Sequence, residues 1–101
     1  MTTKQRAYLK GLAQTIDPVL SLGKASLTPE FVTAVSEALT ARELIKGKVL
    51  ETADIGPREA AELIAASTGC EVVQIIGSKF VLFKRNTESP KIELPKNKKK
   101  K

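Results

Sequence analysis

The sequence predicts one α/β (α+β) domain with the element order α-β-α-β-α-β-β, and three observations carry that reading. Apolar residues recur at helical spacing in three stretches, and they alternate or run together in four others. Thr28-Pro29 has the chemistry of a helix start, and Gly77-Ser78 separates two β-rich runs in the manner of a hairpin. The 101 residues, 42% hydrophobic and 28% charged, suit a single domain. A chain of that length buries somewhat over ~60% of its unfolded surface and needs neither disulfides nor a metal to fold.

The first segment, Lys4 to about Thr15, predicts an amphipathic helix. Tyr8, Leu12 and Ile16 recur every four residues, and Leu9 with Ala13 widen the same side. Arg6, Lys10 and Gln14 form a polar row beside it, with Lys4 adding charge near the start. Asp17-Pro18 is expected to stop this helix, because proline disfavours helical geometry at the residue before it. The run Val19-Leu20-Ser21-Leu22 predicts a first strand, and Gly23-Lys24-Ala25-Ser26 a loop. Thr28 is then an N-cap with Pro29 at the first helical position, and Leu27 and Val32 stand where a hydrophobic staple would. The second helix is expected from Pro29 to about Arg42, with Phe31, Val32, Val35, Ala38 and Leu39 on its apolar side.

Residues Glu43 to Glu51 alternate, Ile45 and Val49 pointing one way and Lys46 and Lys48 the other, so a half-buried strand with a basic outward face is expected. Gly47 within it marks a bulge or a close backbone approach. A third helix opens near Pro57, turns Ala60, Leu63 and Ile64 inward and ends at Gly69. Glu71–Ile76 and Lys79–Arg85 complete the set as paired strands. After Arg85 the composition changes, with two prolines, six lysines and few apolar residues. The expected organisation is a domain over residues 1–85 and a basic, mobile C-terminal tail over 86–101.

The net charge of +6, from 17 Lys+Arg and 11 Asp+Glu, is unevenly placed. Residues 86–101 hold six lysines and two glutamates, a net of +4. Residues 51–71 carry Glu51, Asp54, Glu59, Glu62 and Glu71 against Arg58, a net of −4. One stretch is acidic and the remainder basic, and a basic face concentrates polyanions by long-range attraction.

Catalytic chemistry finds little support. There is no His, so the commonest general acid-base group near neutral pH is missing, and Ser21, Ser26, Ser36, Ser67 and Ser78 have no imidazole to activate them. Cys70 is alone, which excludes an internal disulfide and a Cys/His metal cluster, and its place between a helix-ending glycine and an apolar strand predicts a core thiol. No cofactor and no metal are expected, and no small-molecule substrate. The loop at Gly23-Lys24 is not a P-loop, because Pro18 stands where the first glycine belongs and Ala25 where the hydroxyl belongs. A loop between a strand and a helix N-terminus still offers free N–H groups to an anion, but on its own it reads first as an ordinary connecting turn with an exposed lysine. Four aromatics, with Phe80 and Phe83 on opposite faces of one strand, are too few for a base-stacking platform, so any grip on RNA is expected at its backbone. No membrane-length apolar run and no signal-peptide core occur, and a cytoplasmic location is expected.

Taken together, Gln5 to Ala13, Leu22-Gly23-Lys24 with Leu27-Thr28, Glu43 to Lys46, and Val73 to Gly77 with Val81-Leu82-Phe83 resemble the CRM domain, the chloroplast RNA splicing and ribosome maturation domain, in its stand-alone bacterial YhbY form. The resemblance spans about residues 3–85, with a further match at Lys91 to Pro95. It implies three helices packed with a four-stranded mixed sheet, similar to the C-terminal domain of translation initiation factor three. It also implies RNA binding, and for bacterial members an association with precursors of the large ribosomal subunit. The family loop resembles the Gly-x-x-Gly loop of KH domains, a role that carries over to Gly23 and Lys24. This chain departs from the family at Ser26, which replaces the closing glycine, and at Gln14, Gly47 and Phe83-Lys84.

The expected interface is the loop Gly23, Lys24, Ala25 and Ser26 with Lys4, Arg6, Lys10 and Gln14, joined by Lys46 and Lys48. The expected activity is non-enzymatic binding of ribosomal RNA in maturation of the large subunit. The alternative is a protein adaptor that docks on ribosomal or assembly proteins through the acidic third helix, at Glu59 and Glu62.

Overall fold

A computed structural model describes residues 2–23, 27–86 and 92. The elements follow the expected order: α1 (Thr3–Ala13), β1 (Leu20–Leu22), α2 (Pro29–Arg42), β2 (Leu44–Val49), α3 (Pro57–Thr68), β3 (Glu71–Ile76) and β4 (Lys79–Phe83). The four strands form one mixed sheet in the order β1-β2-β4-β3, with β1 parallel to β2 and the other pairs antiparallel.

Local chemistry sets the element ends. Thr2 caps α1 reciprocally with Gln5: the Gln5 N–H donates to the Thr2 hydroxyl at 3.0 Å, and the Thr2 N–H donates to the Gln5 side-chain oxygen at 3.1 Å. The Thr28 hydroxyl accepts from the Phe31 N–H at 3.1 Å, and Pro29 follows at the first helical position. Helix α1 ends at Ala13, earlier than Pro18 requires, where the Thr15 hydroxyl donates to the Leu12 carbonyl. In the β3–β4 hairpin Gly77 takes φ +56, a value that favours glycine, and Ser78 stays at negative φ, the pattern of a II′ turn.

Both faces of the sheet are covered, by different helices. On one face α2 and α3 enclose Leu22, Ile45, Val49, Phe80 and Leu82 with Val35, Leu39, Ala60, Ala61 and Ile64. On the other, Leu9 and Ala13 of α1 pack on Leu44, Val73, Val81 and Phe83. Phe80 and Phe83 therefore lie on opposite faces and both are buried. Cys70 is buried in the first cluster, and burial raises its thiol pKa above the ordinary value.

Two helix faces differ from expectation. In α3 the inward residues are Ala60, Ala61 and Ile64, whereas Leu63 is 47% exposed. The small alanines let the helix lie close to the sheet and turn Leu63 to its flank, over a groove shared with Leu27 and Val32. In α1 the buried stripe runs through Leu9 and Ala13, which leaves Tyr8 41% exposed and Leu12 and Ile16 half-buried.

Gly47 marks a close approach, the second of the two readings its position allows. It pairs with Phe80 across β2 and β4, and a Cβ at residue 47 would overlap the Phe80 ring. Glu43 was unforeseen. It is fully buried between α2 and β2 with φ 66, the left-handed region that costs a non-glycine residue about 1–3 kcal/mol. Its N–H donates to Leu39 O at 2.7 Å, and its carbonyl accepts from the Lys84 N–H at 2.9 Å. Its carboxylate accepts from the Asn86 N–H at 2.6 Å and the Ile92 N–H at 2.7 Å. Ile92 also packs against the α1-side core, so this position of the C-terminal segment rests on the domain.

Gly47→Ala is expected to destabilise the fold by about 1–3 kcal/mol through overpacking, read as a lower urea midpoint. Coupling to Phe80→Leu in a double-mutant cycle assigns the loss to that ring. Glu43→Gln turns an amide donor toward one of the N–H donors at the carboxylate. It is expected to cost about 1–3 kcal/mol, with faster hydrogen exchange at the Asn86 and Ile92 amides.

Candidate nucleic-acid interface

The α1-side face of the sheet grades from covered to open. Directly paired residues share a face, so the register reads out its rows. Under α1 lies the Leu44–Phe83 pair, both buried. The next row pairs half-buried Lys46 with buried Val81, which also pairs with half-buried Gln74. The last row crosses all four strands, with Ser21 paired to Lys48, Lys48 to Lys79 and Lys79 to Ile76. Every residue of that row is exposed, Ile76 to 51%.

The same end of the sheet carries the β1–α2 loop. Strand β1 runs parallel to β2, and the Leu50 N–H donates to Leu22 O at 2.8 Å, so β1 ends beside the end of β2. Gly23 follows at once, its Cα lying near Leu50 and Thr52. Lys24, Ala25 and Ser26 lie outside the described residues. The register thus brings Gly23, Lys46 and Lys48 to one region and adds Lys79, which sequence reasoning missed. Lys79 is an ordinary strand lysine until the register of β2 on β4 is known.

The helical residues divide. Lys4 and Gln14 are exposed and Lys10 is half-buried. Arg6 is turned into the fold: its Nη1 donates to Val72 O at 2.6 Å and Val73 O at 3.2 Å. These carbonyls sit at the β-bulge of β3, where the register against β4 shifts between Val72 and Gln74. A bulge leaves carbonyls outside the ladder, and a guanidinium three residues before Leu9 on the buried stripe is placed to receive them. Arg6 therefore fastens α1 to β3, while Lys10 is half-buried and Gln14 exposed.

Among the described residues, reactive groups do not converge elsewhere. Among the described residues no group of three or more His, Cys, Asp or Glu could hold a metal ion. Ser21 and Lys24 have Ser-x-x-Lys spacing, but that arrangement needs a helical turn and Ser21 lies in a strand. A cleft of about 490 Å³ between α1 and β2 is lined chiefly by Leu12, Ile16, Val19, Leu44, Ile45 and Ile92. Glu59 and Glu62 are exposed on α3 beside Leu63. No helix among the described residues is long and apolar enough to cross a membrane.

Residues 1–84 match the family described as the CRS1/YhbY (CRM) domain. The chain is 35% identical over 95 residues to the "Probable RNA-binding protein YqeI" of Bacillus subtilis, covering 94% of this chain and 99% of that protein. It is 39% identical over 100 residues to a Haemophilus influenzae protein named "RNA-binding protein", covering 95% and 96%. The solution structure of a hypothetical Staphylococcus aureus protein, described as a candidate RNA binder, superposes with a TM-score of 0.74 at 35% identity, covering 94% of this chain and 99% of that one.

Arg6→Ala is expected to lower stability by about 1–3 kcal/mol, because two buried-side carbonyls lose a charged donor. Lys4→Gln, at an exposed position, is expected to stay within about 0.5 kcal/mol of the parent. Denaturant midpoints of the two variants check the division between a fastening arginine and a free lysine.

Proposed function

The chain belongs to the CRS1/YhbY (CRM) domain family, and from that premise we propose that it is a non-enzymatic RNA-binding protein. Its ligand is ribosomal RNA, held by the phosphate backbone, and its setting is maturation or assembly of the large ribosomal subunit in the cytoplasm. The observation that carries this reading is the open, basic end of the sheet beside Gly23, in a chain whose relatives are named RNA-binding proteins. Lysine ammonium groups are point charges without a planar fork, so they favour phosphate contact over base discrimination. The buried Phe80 and Phe83 supply no stacking platform. The interface proposed is Gly23, Lys24, Ala25 and Ser26 with Lys46 and Lys48, supplemented by Lys4, Lys10 and Gln14. Arg6 serves it by holding α1 in place.

A second reading has one observation in its favour. Leu63 is exposed beside Glu59 and Glu62 on α3, an apolar contact adjoining acidic groups that suits a basic ribosomal or assembly protein.

Titration of ribosomal RNA fragments across salt concentrations separates the readings. Phosphate-driven binding is expected to weaken with a log–log slope of about −0.7 per contact to single-stranded segments, and Lys24→Ala is expected to lower both affinity and slope. A chain ending after Glu93 retains the Ile92 contact to Glu43 and is expected still to bind. Binding that depends on the lysines beyond residue 93 alone, or that responds only to charge reversal at Glu59 and Glu62, overturns the proposal.

A further inference from the structure

We infer that the row Ser21–Lys48–Lys79 is a seat for consecutive phosphates of an RNA strand laid across the open end of the sheet, with Lys79 as an unrecognised principal contact. The inference deepens the RNA-binding reading and rests on it.

The geometry is that of a built cationic strip. Lys48 and Lys79 are directly opposed on adjacent antiparallel strands, which places their Cβ atoms about 4.5–5.5 Å apart. Like charges so opposed repel and destabilise the pair. Among the described residues the side-chain ammonium groups of Lys46, Lys48 and Lys79 have no hydrogen-bond or ion-pair partner. The register neighbours that flank the pair are Ser21 and Ile76, neither of them acidic. A fold that sets two lysines face to face without a carboxylate between them has a place for an external anion. A phosphate bridging both ammonium groups removes the repulsion and gains charge-assisted hydrogen bonds.

The row also has direction. Ser21, next to Lys48, offers a hydroxyl donor and lies two residues before Gly23, so the strip leads from the hairpin end of β4 to the β1–α2 loop. Lys46 lies two residues along β2, about 7 Å away, within reach of a neighbouring phosphate. Ile76 closes the far side with an apolar surface that a ribose or base edge can cover. An extended polyanion fits this strip better than a compact ligand, because the cations lie on a flat exposed face rather than in a pocket.

The test uses the full chain and its Lys48→Gln, Lys79→Gln and double variants. Each is titrated with ribosomal RNA fragments, and each is melted at low ionic strength with and without inorganic tripolyphosphate. The single variants are expected to lose roughly threefold to tenfold in affinity, and the double variant to reduce the salt slope by about 0.7–1.4. Tripolyphosphate is expected to raise the melting temperature of the parent and not that of the double variant, whose own melting temperature is equal or higher. If the parent binds RNA and Lys79→Gln binds with unchanged affinity and slope, the seat is wrong while RNA binding stands. If the parent binds no RNA but tripolyphosphate stabilises it through Lys48 and Lys79, the RNA reading is wrong and the seat stands as a site for another polyanion. If the parent and the double variant respond alike to tripolyphosphate, the seat is overturned.

Discussion

The contact of the Phe80 ring with the bare backbone of Gly47 fixes the register of β2 on β4, and much of the molecule depends on that register. Side chains alternate between faces, so a slip of one residue would carry Lys46 and Lys48 toward the α2/α3 core and take Ile45 and Val49 out of it. Only glycine leaves room for the ring at this point, and only a large ring fills that room. The pairing that secures the core also decides what stands on the other face. Once Gly47 is under Phe80, Lys48 must be opposite Lys79 and Leu44 opposite Phe83. Core packing and surface chemistry are two outcomes of one alignment.

Glu43 has a comparable role at the other end of β2. A chain leaving α2 must turn sharply to enter the sheet, and it does so at a residue held in the left-handed region. Glycine would adopt that conformation with less strain, but it has no carboxylate. The carboxylate gathers two backbone N–H groups from far along the chain, at residues 86 and 92. Charged acceptors make stronger hydrogen bonds than neutral ones, which offsets the conformational cost of the turn. Residue 92 thereby becomes part of the α1-side core despite lying beyond the last strand. Its closure keeps Leu44 and Phe83 covered at the end of the sheet opposite the lysine row.

Features governed by neighbours in sequence were legible before the fold was known. Thr28-Pro29 started α2, Gly77-Ser78 turned the hairpin, and the alternation around Ile45 and Val49 gave both faces of β2. The phase of a helix on its sheet was less legible, because adjacent apolar rows compete and packing chooses between them. Ala61 rather than Leu63 faces the core because a small residue allows close approach. Arg6 looks like a surface cation by spacing, and only the bulge in β3 explains why a guanidinium is wanted there. Lys79 and Glu43 were illegible for a simpler reason. Their roles depend on residues more than thirty positions away, at Lys48, Asn86 and Ile92. The capping box at Thr2 and Gln5 was available in the sequence as a Thr-x-x-Gln pattern, and it sets the start of α1 one residue before Lys4.

The uncovered end of the sheet follows from the length of α1. Eleven residues make a helix about 16 Å long, and Arg6 and the Leu9–Ala13 stripe commit it to the Leu44–Phe83 end. Among the described residues no helix covers the last row of that face, Ser21–Lys48–Lys79–Ile76, and further apolar residues there would form an exposed patch prone to association. Lysines keep the surface soluble, but opposed lysines weaken the strand pair that carries them. A sequence selected for stability alone would place a carboxylate against one of them. Keeping both cations is consistent with a face whose partner arrives from outside, and neither register neighbour of the pair, Ser21 or Ile76, is acidic. Five of the nine acidic residues within residues 1–85 fall between positions 51 and 71, and none stands in the row of the opposed lysines, so on the proposed reading the counter-charge of that row comes from the bound polyanion.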